Sequence, residues 1–81
     1  MILTTELSKD HDVVTICLDK DGIDFLIKKL IKLSNSKSNE HDHLMTPSWS
    51  GNELTEKKIG ADEDTLINHL RLVFLNEKAT S

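Results

Sequence analysis

Between Asp19 and Ser34 the chain carries its one long stretch of helical period, and that stretch dictates what the remaining residues must supply. At about 100° per residue, Ile23, Leu26, Ile27, Leu30, Ile31, Leu33 and Ser34 fall on one side, and Lys28, Lys29 and Lys32 on the other. Asp19 or Asp21 can cap the helix with a carboxylate oxygen, and early acids suit the positive end of its dipole. A lone amphipathic helix can bury its stripe only against another layer, and 81 residues suffice for one small core. Phe25 is the exception, because its angle places it among the lysines rather than over that core.

Strands are the available second layer. Ile2 to Leu7 and the β-branched run Asp12 to Leu18 read as strands joined by the turn Ser8-Lys9-Asp10-His11. Side chains alternate along a strand, so Val14, Ile16 and Leu18 form the expected core face of the second run. Beyond the polar linker Ser34 to Asn39, Glu40 to Met45 is extended, and Pro47 ends it. Ser50-Gly51-Asn52 is a turn, after which Glu53 to Ile59 returns as a short, charged edge strand. Gly60 to Asp64 is an acidic loop, or one turn capping something helical. Thr65 to Leu75 fits a helix through Leu66, Leu70, Val73 and Phe74, or a strand through Leu70, Leu72 and Phe74. The strand is the reading adopted, because a small sheet needs the extra member.

The expected architecture is α+β: an antiparallel sheet of four or five strands with one amphipathic helix packed on one face. It forms a single domain over residues 1–75, with a flexible tail at 76–81. One sheet face is then left open. If Leu70, Leu72 and Phe74 look toward the helix, Thr15, Cys17, His69 and Arg71 look away, and His41, His43 and Met45 are placed with them.

A formal net charge of -4 disfavours nucleic acid as a partner and suits a basic one, while a modestly acidic surface also serves solubility by itself. The lone cysteine, Cys17, excludes an internal disulfide and favours a cytoplasmic location. The first residues lack a signal-peptide pattern, and no stretch approaches membrane-spanning length, so neither export nor a membrane partner is expected.

His41, His43 and His69 are weak metal candidates: two imidazoles two apart on a strand point the same way, but a zinc site needs three or four ligands. Cys17 lies within a strand and lacks the surroundings that activate a thiol. The carboxylate pairs suggest no cleft, and there is no phosphate-binding glycine loop. Catalysis and a cofactor are therefore not expected. Trp49, flanked by serines, offers a large apolar area with one donor, a side chain suited either to plugging the core or to anchoring an interface. Asp42, Glu53 and Glu56 lie near it in sequence, and Asp62, Glu63 and Asp64 add further charge for a basic partner.

The runs His41-Asp42-His43-Leu44, Ser48-Trp49-Ser50-Gly51-Asn52-Glu53-Leu54 and Leu66-Ile67-Asn68-His69-Leu70-Arg71-Leu72, preceded by Asp19, Gly22, Ile23 and Leu26 of the helix, resemble the bacterial immunity protein 32 family. The resemblance covers most of residues 15 to 75. It implies a small α+β protein made beside a polymorphic-toxin gene, protecting its producer by binding the toxin. On that reading Trp49 is the anchor, Asp42, Glu53, Glu56, Asp62, Glu63 and Asp64 are charge partners of a basic toxin, such as a nuclease, and Phe25 marks a second surface. The alternatives are a homodimeric module that hides its open sheet face against a second copy, and a histidine-based metal-binding protein.

Overall fold

Five antiparallel strands and one helix appear in the computed structural model, which describes residues 1–77. In chain order they are β1 (Leu3–Leu7), β2 (Val14–Leu18), α1 (Lys20–Ser34), β3 (Glu40–Met45), β4 (Thr65–Ile67) and β5 (His69–Phe74), with a single 3-10 turn at Pro47–Trp49. The α+β class and the strand reading of 65–75 hold. Of the expected tail, residues 78–81 lie outside the described residues, while the Asn76 backbone N–H donates to Asn39 Oδ1 at 2.8 Å.

The strands form two sheets, β2-β1-β4 and β3-β5, where one was expected. The reason is Asn68. It interrupts the extended run from Thr65 to Phe74, so that one half pairs with β1 and the other with β3. Fully buried Thr46, just past β3, holds this junction: its N–H donates to the Asn68 carbonyl at 3.0 Å and its hydroxyl to Asn68 Oδ1 at 2.8 Å.

Helix α1 starts where its sequence signals place it. Asp19 is the N-cap, accepting from the Gly22 N–H at 2.8 Å. Its own N–H donates to the Ile2 carbonyl at 3.2 Å, tying the helix start to the chain entering β1. Gly22 makes that approach feasible, since a Cβ there would lie 1.9 Å from the Ile2 carbonyl oxygen. Backbone crowding of this kind cannot be relieved by a rotamer change. Gly22→Ala should therefore cost about 1–3 kcal/mol, as overpacking typically does, read as a lower urea midpoint.

The same contact turns the helix. Gly22, Leu26, Lys29 and Leu33 face inward, Gly22 and Leu33 being buried, while Ile23, Ile27, Leu30 and Ile31 remain 45–54% exposed. The expected core stripe is thus only partly buried, and Phe25, expected away from the core, packs against it with Lys29 Nζ 5.4 Å from its ring centre. β2 also departs from expectation. Leu18 reaches the core, but Val14 and Ile16 stay exposed because α1 leaves their end of the sheet uncovered. The core is built instead on Leu3, Leu44 and Leu54, with Leu18, Phe25, Leu26, Leu70 and Leu72 around it.

Glu53 to Ile59 forms no strand. Its backbone is captured piecemeal. Leu54 N–H donates to the Met45 carbonyl at 3.1 Å, Thr55 N–H to the Leu3 carbonyl at 2.8 Å, and Leu3 N–H to Thr55 Oγ1 at 3.1 Å. Farther along, the fully buried Glu6 of β1 accepts from Thr4 Oγ1 at 2.6 Å, Ile59 N–H at 3.0 Å and Gly60 N–H at 2.8 Å. Burial pushes its carboxyl upward, but Thr4, Ile59, Gly60 and the Cys17 thiol together outweigh that and hold it below the usual glutamate value. One carboxylate thus straps the Ile59–Gly60 end of this segment across β1.

Candidate functional site

The β3-β5 register decides which side chains meet. His41 opposes Val73, His43 opposes Arg71 and Met45 opposes His69 on one face, while Asp42, Leu44, Leu70 and Leu72 occupy the other. Leu44, Leu70 and Leu72 belong to the core that α1 covers, so the histidine face points away from the helix. The sequence places His41, His43, Met45, His69 and Arg71 on that open face, and the structure agrees.

Four rings run along it. His41 and His43 meet edge to face at 4.9 Å between centres, His43 and His69 at 4.8 Å, and His69 and Trp49 at 6.1 Å. His43 Nδ1 and His69 Nε2 are 2.7 Å apart, a hydrogen bond in which one ring donates and the other presents a bare nitrogen. Both nitrogens are therefore engaged with each other. Among the described residues, no three His, Cys, Asp or Glu side chains converge as ligands for a metal ion.

Trp49 closes the row from the 3-10 turn and is 53% exposed. That turn is tightly specified. The Thr46 carbonyl accepts from Trp49 N–H at 2.9 Å and Gly51 N–H at 3.0 Å, and Ser50 adopts a left-handed φ of 65°. A Cβ at Gly51 would lie 2.4 Å from the Met45 carbonyl, so the chain returns against β3 only with glycine there. The Glu56 carboxylate accepts from the Ser48 N–H. The Ser48 hydroxyl and N–H, with Thr46, hold it below the usual range. Glu53 accepts from Asn52 N–H at 2.6 Å.

The acids expected around Trp49 are therefore divided. Glu53 and Glu56 brace its loop. Asp42 lies on the helix side, 3.5 Å from Lys29 Nζ, where it helps line a groove of about 260 Å³ with Lys32, Leu33, Glu40 and His41. Asp62 and Glu63 are exposed on the turn before β4, and Glu63 borders a concavity beside Ser8, Lys9, Asp10 and Val13. Asp64 is half-buried, and Phe25 serves the core. Sequence reasoning missed Glu6 and Leu54, both inside runs whose composition reads as ordinary exposed strand.

The sequence model of the Immunity protein 32 family matches residues 13–70, well over half of the chain. The chain belongs to that family. No curated protein and no solved structure matches it. The matched span runs from the start of β2 to the beginning of β5, so it includes the helix cap, the histidine strand, the tryptophan turn and the Asn68 junction. The residues that carry the resemblance have clear structural work. Asp19 and Gly22 seat α1, Ser50 and Gly51 shape the Trp49 turn, and Asn68 switches the last strand between sheets.

Proposed function

We propose that this immunity protein acts by direct binding of a cognate toxin, using the open face of β3-β5 as its contact surface and performing no bond-making itself. The observation that carries this reading is Trp49, more than half exposed yet held by a braced turn at the end of the His41-His43-His69 row. An exposed indole on a rigid mount has already lost much of the conformational freedom that binding would otherwise take away. Aromatic anchors of this kind dominate interface energetics.

The partner is a basic protein, a nuclease being one such class. Exposed Glu56, Asp62 and Glu63 add to a net charge of -4, and complementary charge raises encounter rates before the anchor seats. Asp42 contributes less, since Lys29 already neutralises it.

The direct test is co-purification with the toxin encoded beside this gene, followed by stopped-flow association at several salt concentrations. A stable complex whose association rate falls steeply with salt is expected. Failure to form a complex overturns the proposal, and a rate indifferent to salt removes the electrostatic part of it.

A further inference from the structure

Among the described residues, none covers an apolar stripe of helix α1. Ile23, Ile27, Leu30 and Ile31 are 45%, 47%, 47% and 54% exposed, and their spacing puts them on one ridge of the helix. Contiguous large aliphatic side chains of this kind mark an interaction surface, unlike scattered single ones. The stripe is separate from the histidine face, because α1 lies on the opposite side of β3-β5.

We propose that the stripe is the interface of a homodimer, with α1 of a second copy packed antiparallel about a two-fold axis at Ile27. The pattern of α1 favours this occupant. An antiparallel crossing at Ile27 sets Ile23 of each copy against Ile31 of the other and brings each Leu30 beside the opposing Ile23, so the ridge covers itself. The polar residues at its two ends, Lys20 and Ser34, then face one another outside the apolar zone. Charge follows the same symmetry. Asp24 stands beside the N-terminal half of the stripe and Lys28 beside the C-terminal half, both exposed. Reversal of the second helix brings each Asp24 within about a turn of the other copy's Lys28. In a parallel two-fold pair the flank that carries Asp24 and Lys28 would fall on opposite sides of the seam in the two copies and the charges could not pair, and antiparallel helix dipoles also oppose favourably. A two-fold contact requires a self-complementary patch, and this stripe is one.

Sedimentation equilibrium of the full chain, without toxin, tests the proposal. The expected result is a reversible monomer–dimer equilibrium. Ile27→Asp should raise the dimer dissociation constant by roughly 30-fold or more, the scale of a buried hot spot. Ile27 is half exposed within one copy, so far-UV circular dichroism should show an intact fold. Asp24→Lys and Lys28→Asp, both on the solvent side, should each weaken the dimer several-fold, and their combination should restore it. Trp49→Ala should leave it unchanged. A chain that sediments as a monomer at every concentration overturns the proposal, as does a dimer indifferent to Ile27→Asp. Loss of toxin capture in Ile27→Asp, with a monomeric wild type, would assign the stripe to the toxin instead. Because no toxin is present in the sedimentation measurement, its failure is distinct from failure of the binding role proposed for Trp49.

Discussion

Glu6→Ala is expected to remove about 3–5 kcal/mol of stability, because it strips three donors of one charged acceptor and each such loss costs about 1–3 kcal/mol. It would leave the Ile59 and Gly60 N–H groups and the Thr4 hydroxyl facing a void instead of a carboxylate. A domain of this size has on the order of 4–12 kcal/mol in total, so the variant should lose a large share of its stability and release the chain at Ile59 and Gly60. Urea denaturation and amide exchange at Ile59 and Gly60 would measure both effects. Glu6→Gln keeps the shape but turns a donor toward a donor, and should cost about 1–3 kcal/mol. The pH dependence has a definite sign. The folded-state pKa is depressed, so the stabilisation is complete above the unfolded value, near 4.5, and is lost as pH falls through the folded value. The urea midpoint of the wild type should therefore drop on acidification below that point, and the drop should be shallower in Glu6→Gln. An equally steep drop in the variant would mean that other carboxylates dominate acid unfolding.

Trp49→Ala should weaken the toxin complex by about 2–4 kcal/mol, roughly 30-fold to several hundredfold in Kd. Its exposure means the folded monomer has little packing to lose, so thermal stability should change far less than affinity. Calorimetric titration beside a melting curve would separate the two. Trp49→Phe should recover part of the affinity, because it restores apolar area without the indole donor. His69→Ala removes the ring beside the indole and should cost less than Trp49→Ala. Unchanged affinity in Trp49→Ala would move the contact surface away from the open face.

The candidate site was partly legible before its geometry was known. Alternation put His41 and His43 on one face of their strand and His69 with Arg71 on one face of its own, because strand period is a local property, while the β3-β5 register decided that the two faces coincide. That the rings touch, and that Trp49 joins them, depends on the Thr46–Asn68 junction, which brings residues far apart in the chain together. The acids were less legible. Asp42 and Glu56 look alike in sequence, yet one pairs with Lys29 and the other bonds Ser48. Which partner a surface carboxylate finds depends on long-range placement that carries no local signal.

By itself the sequence determined the elements: the Asp19 cap, the helix to Ser34, the stop at Pro47 and the alternation of β3 and β5 all follow from dihedral preference and near-neighbour hydrogen bonds. Tertiary structure alone decided how the elements were turned and covered. A close contact between Gly22 and Ile2 rotated α1, packed a half-buried Phe25 against the core in place of Ile27, and left an apolar ridge exposed. Glu6, an ordinary acid on a strand, became a buried strap because the backbone that solvates it comes from more than fifty residues away. Local energies choose the conformation of each segment, but burial is settled by what else arrives.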